Sequence, residues 1–273
     1  MIPAAFDYVR VDSADAAIAQ LVAHGEDAKI LAGGHSLVPL LKLRLASPSV
    51  LVDIGRVKDL SFIKDAGDHI AIGALTRHHD VEHSALLKEH NALLPAVATH
   101  VGDSQVRHRG TIGGSIAHGD PASDFPAAIL ALGATMVVRG PGGERTVAAA
   151  DFFQGFLTTA LAADELLTEI RVPKITGAKV NYQKFNRRAQ DWAIVGVAAY
   201  RLGSQVGVGL TNMGSTPIRA SGVEAALTGG ASVPDAAAHA AEGTEAPGDL
   251  NGSSEYREHL ARVLTRRALE ACS

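Results

Sequence analysis

An α+β fold is what this sequence predicts, and three runs of residues predict it. Between residues 29 and 54 a strand, a glycine turn, a helix and a second strand follow one another, the order that builds a small parallel sheet. Arg139-Gly140-Pro141-Gly142-Gly143-Glu144 reads as a hairpin turn between two strand-like runs. Past residue 177, three more such runs read as a meander, and helical segments close the chain.

The elements follow in order. Ser13 is placed to cap a helix over residues 14–24, whose Ile18, Leu21 and Val22 make an apolar stripe, and Gly25 stops it. Lys29–Ala32 reads as a buried strand, Leu37–Leu45 as a Leu-rich helix, and Val50–Ile54 as the next strand. His69–Ile72, Thr135–Val138, Arg145–Val147 and Glu165–Val172 read as strands, the last ending at Pro173. Helical stretches are expected around Asp80–Lys88, Leu93–Val101 and Phe125–Leu132. The meander is Val180–Phe185, Ala193–Arg201 and Val206–Leu210; helices over Gly222–Leu227, Asp235–Ala241 and Ser254–Ala271 complete the chain. The Gly-, Pro- and Ser-rich stretch from Glu242 to Ser254 reads as a mobile loop.

Composition narrows the function. With 28 Gly and 11 Pro in 273 residues, collagen-like and disordered chains are excluded. A net charge of −4 provides no footprint for nucleic acid or an anionic membrane. No segment has the roughly 18 consecutive apolar residues of a membrane span, and Met1–Tyr8 lacks the features of a signal peptide, so a cytoplasmic protein is expected. The lone cysteine, Cys272, excludes an internal disulfide, a cysteine-ligated iron–sulfur cluster and a multi-cysteine zinc site. Redox work by this chain needs an organic cofactor or another subunit.

Two glycine turns carry the chemistry. Ala32-Gly33-Gly34-His35-Ser36 and Thr111-Ile112-Gly113-Gly114-Ser115 are both read as turns at strand ends. Paired glycines permit positive φ and remove the Cβ atoms that block a ligand, and N–H groups exposed in such turns bind anions. Two of them facing each other suit a pyrophosphate. Neither is G-x-G-x-x-G, and no P-loop signature occurs.

The residues around both turns resemble the FAD-binding medium subunit of molybdenum hydroxylases, in particular those of the carbon monoxide dehydrogenase type. The matching stretches are Leu31–Leu37, Leu51–Ile54, Ile72–Thr76, Gln105–Arg107, Gly110–Ser115, Asp120–Asp124, and Gly252–Arg257 continuing to Arg266–Leu269. They run in the same order over essentially the whole chain. The resemblance implies a two-lobed FAD-binding domain of the vanillyl-alcohol-oxidase (PCMH) type over residues 1–176, with lobes of about 1–56 and 57–176. It also implies a C-terminal domain, 177–273, with a three-stranded antiparallel sheet and helices.

The same resemblance implies the cofactor-binding residues. Gly33, Gly34, His35 and Ser36, with Gly113, Gly114 and Ser115, fall at the pyrophosphate, and Leu31, Ala32 and Leu37 beside the first turn are counted among the cofactor-binding residues. Thr111 falls where the family places a hydroxyl near the cofactor, and Asp124 where it places a carboxylate on the ribose or adenosine part. Leu167 falls in a strand near the ring system, Lys184 near a flavin-proximal lysine (with Gln183 one register away), and Trp192 at an aromatic beside the isoalloxazine. Read without the family, Asp124 is a helix cap, Thr111 turn chemistry, Lys184 a solvated strand residue and Trp192 a core residue. Replacing Gly33 or Gly114 with Val is expected to remove the flavin and leave the fold largely intact.

What the resemblance implies of function is an electron-transferring subunit with no catalytic side chain of its own. A large molybdopterin subunit oxidises the substrate, two [2Fe–2S] clusters on a small subunit carry the electrons, and FAD passes them to an acceptor such as a quinone. The assembly is a dimer of heterotrimers, cytoplasmic or peripherally attached to a membrane. The rivals are a stand-alone flavin oxidoreductase, a subunit that has lost its flavin, and a zinc hydrolase. The last rests on His79, Glu82 and His83, which fit H-x-x-E-H, with His78 adjacent; a solvated helix face is the plainer expectation.

Overall fold

Ser13 begins the first helix as a capping residue should, its hydroxyl accepting the Ala16 N–H at 3.2 Å, and Gly25 ends it at φ 55°. The computed structural model describes residues 2–273; Met1, the first residue of the stretch read as lacking a leader, lies outside them. The first lobe runs β1 (Asp7–Arg10), α1 (Ala14–His24), β2 (Ala28–Leu31), α2 (Leu37–Leu43) and β3 (Val50–Asp53). Its sheet is parallel in the order β1-β3-β2, with Val50 and Val52 packed on Ile18 and Leu21 of α1. The edge strand β1 was not expected, because its residues are mostly exposed and show no apolar alternation. Helix α2 stops two residues short of Leu45, since Arg44 turns left-handed at φ 57°.

The second lobe opens with β4 (Ile63–Asp65) and β5 (His69–Gly73). Six short helices follow: α3 (His78–His83), α4 (Ala85–His90), α5 (Leu93–Ala98), α6 (Ser104–Arg109), α7 (Ile112–His118) and α8 (Asp124–Leu132). Next come β6 (Thr135–Gly140), β7 (Gly143–Ala148), α9 (Ala149–Phe152), β8 (Phe153–Gly155), β9 (Thr158–Thr159) and β10 (Leu166–Pro173). The main sheet is antiparallel in the order β4-β5-β10-β6-β7. The single helix expected over 80–88 is two helices. Ser84 leaves the helical region at ψ 116° and its hydroxyl caps α4 through the Leu87 N–H. Helix α6 was missed, although Asp103 caps it by accepting the Val106 N–H at 2.8 Å.

The C-terminal sheet corrects the expected three strands to four. Strands β11 (Lys179–Phe185), β12 (Val195–Leu202) and β13 (Gln205–Thr211) form the meander, and β14 (Ile218–Arg219) pairs with Gly209 and Leu210. Two residues are too few to show an alternation, so β14 left no pattern to read. Helices α10 (Ser221–Thr228), α11 (Val233–Ala238) and α12 (Ser254–Ala271) follow, the last with the expected bounds and Ser253 as its cap. The stretch read as mobile has neither helix nor strand, yet it is tied down: Asp249 pairs with the buried Arg257 at 2.8 Å. Among the described residues no helix is long and apolar enough to cross a membrane.

Strand β12 is apolar on both faces because both are covered. Val195, Val197 and Ala199 join Leu260 and Leu264 of α12, whereas Ala198 and Tyr200 join the core that holds Phe125 and Ile129 of α8. Helix α8 lies directly on β13, and a Cβ on Gly209 would sit 2.0 Å from the Ala127 carbonyl oxygen. This contact sets where Asp124, at the start of α8, meets β11. Gly209→Ala is therefore expected to cost about 1–3 kcal/mol in urea unfolding, the usual cost of overpacking. Wild-type stability in that variant would mean that α8 can shift without consequence.

Candidate functional site

The first glycine turn joins β2 to α2 at the wall of a cleft of about 820 Å³ between the lobes. Gly34 takes φ 79°, which a glycine adopts without strain. The N–H groups of Gly34, His35 and Ser36 find no acceptor among the described residues, so this turn presents donors to the cleft. Burial, with the charges of Arg109 and Arg77, holds the His35 imidazole below its ordinary pKa and hence neutral near pH 7.

The second glycine turn differs from the expectation. It is the capped first turn of α7, and its donors are taken. Ile112 donates to the Thr76 carbonyl at 3.0 Å, Gly113 to Ala74 at 3.0 Å, and Ser115 to Thr111 at 3.1 Å. The Gly114 N–H goes to the Thr111 hydroxyl at 3.2 Å. Thr111 is thus a buried helix cap that also lines the cleft. What this turn offers the cleft is bare backbone and the Ser115 side chain.

The glycines also lock the turns together. A Cβ on Gly33 would lie 2.7 Å from the Arg109 carbonyl oxygen and 2.9 Å from the Gly110 Cα, and one on Gly113 would lie 2.4 Å from the Ala74 Cβ. Gly33→Val therefore breaks the contact between the lobes, and the expectation that this variant leaves the fold intact is corrected. Val at Gly114 would press on the Thr111 hydroxyl, 2.7 Å from the added Cβ.

Opposite the turns, β11 brings Lys184 to Asp124. The Lys184 ammonium donates to Asp124 Oδ2 at 3.0 Å and to the His100 carbonyl at 3.0 Å, and the Tyr182 hydroxyl donates to Asp124 Oδ1 at 2.5 Å. Tyr182 and Lys184 are two residues apart on one strand, so they share a face. Lys184 is nearly buried rather than solvated, and Gln183 turns instead to Asn181 at 2.6 Å. Asp124 caps nothing with its side chain; burial raises its pKa, while Lys184 and Tyr182 oppose the rise. Burial and the Asp124 charge push the Tyr182 phenol well above its ordinary value.

Trp192 is 63% exposed at the cleft, with its indole N–H donating to Asp120 at 3.1 Å, so it is no core residue. Leu167 lines the floor from β10, beside a register shift that leaves Thr168 unpaired against β6. Of the fifteen residues expected at the cofactor, only Leu31 is absent from the lining; it packs behind Gly34.

The cleft also holds residues that sequence reasoning passed over. His78 is buried, stacks on Phe125 at 5.1 Å and leaves Nδ1 without a partner; burial first, then the charge of His35, lowers its pKa to about 3. In the sequence it hid inside the histidine run. Gln190 and Leu157 line the mouth, Leu157 at φ 54°, a conformation that no residue pattern announces. Away from the cleft, ligand atoms of His79, Glu82 and His83 come within 4.8 Å of one another.

The comparisons agree with one another. Residues 4–175 match the model of the FAD binding domain in molybdopterin dehydrogenase, and residues 180–272 that of the CO dehydrogenase flavoprotein C-terminal domain. The chain is 40% identical over 281 residues to the carbon monoxide dehydrogenase medium chain of Hydrogenophaga pseudoflava, covering 99% of this chain and 98% of that one. It is 39% identical to the glyceraldehyde dehydrogenase medium chain of Sulfolobus acidocaldarius, covering 99% of both. A solved carbon monoxide dehydrogenase from Hydrogenophaga pseudoflava, lacking the Mo-pyranopterin moiety, superposes with a TM-score of 0.96 at 42% identity over 100% of this chain and 98% of that one.

Proposed function

The chain belongs to the family of FAD-binding medium subunits of molybdenum hydroxylases, an oxidoreductase family, and on that premise we propose that the inter-lobe cleft binds FAD and that the chain is the electron-transfer subunit of a carbon monoxide dehydrogenase-like complex. The observation that carries the assignment is the set of unpaired N–H groups at Gly34, His35 and Ser36, facing a cleft of about 820 Å³. A diphosphate taken from water requires such donors, and the volume lies in the upper range of cofactor sites.

On this reading the fold is the vanillyl-alcohol-oxidase (PCMH) type, and each wall has a task. The first turn binds the pyrophosphate through its N–H groups, the neutral His35 adding no charge of its own. Gly113, Gly114 and Ser115 let the cofactor approach the second turn closely, and Thr111 holds that turn by its cap. Leu37, Ala32 and Leu167 supply apolar contact, while Trp192 covers the mouth and excludes water. Lys184, held by Asp124 and the His100 carbonyl, builds the wall opposite the turns. The chemistry supplied by bound FAD is the storage and transfer of an electron pair.

The partners are a small subunit with two [2Fe–2S] clusters and a large molybdopterin subunit, in a dimer of heterotrimers with a quinone-like acceptor. The complex is cytoplasmic, with at most peripheral contact to a membrane. Support for outside clusters is chemical: one buried cysteine cannot ligate them. The tilt to carbon monoxide over glyceraldehyde rests on the Gly-Gly-His-Ser turn alone, because the medium-chain identities of 40% and 39% do not separate the two.

The test is the visible spectrum of the purified complex, with the flavin band at about 450 nm and FAD released on denaturation. Ser115→Glu separates binding from folding. It sets a carboxylate at the start of α7, where a helix favours it, and also where the diphosphate must lie. FAD content is expected to fall at least tenfold with unchanged thermal stability. A colourless wild-type complex, or full FAD content in Ser115→Glu, refutes the assignment.

A further inference from the structure

His83, His79 and His108 form a row beside α3 and α6. The His79 ring centroid lies 4.2 Å from that of His83 and 4.0 Å from that of His108. His83 Nδ1 is 2.9 Å from the His79 carbonyl oxygen, and His108 Nδ1 is 2.6 Å from the Ser104 carbonyl oxygen. A carbonyl oxygen only accepts, so in both bonds Nδ1 is the donor and carries the hydrogen. Each neutral ring then keeps its lone pair on Nε2, the arrangement in which an outer hydrogen bond holds an imidazole ready for a metal.

A carboxylate lies beside them. Ligand atoms of His79, Glu82 and His83 lie within 4.8 Å of one another, and Glu82 Oε2 is ion-paired with Arg107 Nε at 2.7 Å without a hydrogen bond between them. His108 stands outside that set, its ring stacked on His79, and joins it only by swinging out of the stack; His83 and His108 are exposed, which leaves them room to do so.

We propose that His79, His83 and His108, with Glu82, bind one divalent cation of the borderline class, Zn²⁺ or Ni²⁺, and that the metal clasps α3 to α6. Imidazole nitrogens select these ions over Mg²⁺ and Ca²⁺, which prefer sites made wholly of oxygen ligands. With His108 swung in as the fourth ligand, a tetrahedral shell closes and leaves no position for a reactive water, so the site is structural and not hydrolytic. Its effect is local. Helix α6 runs into Arg109 and Gly110, whose backbone packs against Gly33, so the clasp steadies the segment joining the two glycine turns. The proposal does not depend on the flavin.

The test uses the full chain, stripped with a chelator and titrated with ZnCl₂ by calorimetry and thermal unfolding. One zinc per chain is expected, with a midpoint of unfolding that rises with zinc concentration. His79→Ala, His83→Ala and His108→Ala are each expected to weaken binding by at least about tenfold. Their circular dichroism and metal-free unfolding midpoints should match the wild type, which separates ligand loss from misfolding. The site is overturned if the wild type takes up no zinc, or if a His79/His83 double variant binds as tightly as it does. Wild-type affinity in His108→Ala overturns the clasp.

Discussion

Replacing Lys184 with Met is expected to lower the unfolding free energy by about 3–5 kcal/mol, the largest loss foreseen for a single residue here. Lys184 and Asp124 are both more than nine-tenths buried, and the ammonium joins β11 to α8 and to the His100 carbonyl. Its removal leaves the Asp124 carboxylate buried with only the Tyr182 hydroxyl, so Asp124 takes up a proton at a still higher pH. An Asp124→Asn, Lys184→Met double variant should recover much of the loss, because neither charge is then stranded. Additive losses in the double variant, measured by urea unfolding, would show that the pair does not act as a unit. The single variant should also bind FAD less tightly, having lost the bond that holds the cleft wall between β11 and α8.

Acid is expected to weaken the fold through His78, and the sign follows from its burial. Its folded pKa lies at about 3 against 6.5 for an ordinary histidine, so the unfolded chain binds the proton first. The stability held by neutral His78 is complete above about pH 6.5 and drains as the pH falls towards 3, with roughly 2–3 kcal/mol gone by pH 4.5. His35, His100 and His118 are lowered by burial too and act in the same direction. Asp124 acts in the opposite direction: its raised pKa contributes stability below the ordinary carboxylate value that is lost as the pH rises. Comparing the wild type with His78→Leu isolates one contribution, since the variant should lose roughly 2–3 kcal/mol less between pH 7 and 4.5. Equal losses would mean that the His78 ring reaches solvent before the protein unfolds.

Several parts of the site were legible because local chemistry decides them. Ser13 and Ser253 cap helices whose apolar spacing repeats along the chain, and both helices lie where the sequence puts them. The Gly33–Gly34 turn follows a short apolar strand, so its place at the strand end was readable. The Gly113–Gly114 turn looks equivalent in one dimension and is not. Its donors go to Ala74 and Thr76, residues almost forty positions earlier, and only the tertiary path brings them there. Likewise β14 and α6 form on partners or caps outside any periodic run.

The sequence by itself determined the family, the α+β order of elements and the absence of cysteine ligands for iron, because each is written in residue type and spacing. The tertiary structure alone decided which groups face the cleft and which are spent on the fold. It assigned the first turn's N–H groups to the cleft and the second turn's to the backbone. It also buried Lys184 on Asp124 and left Trp192 exposed at the mouth. The reason is physical. A donor, a charge or a ring is available to a ligand only when no nearer partner takes it, and those partners lie far away along the chain.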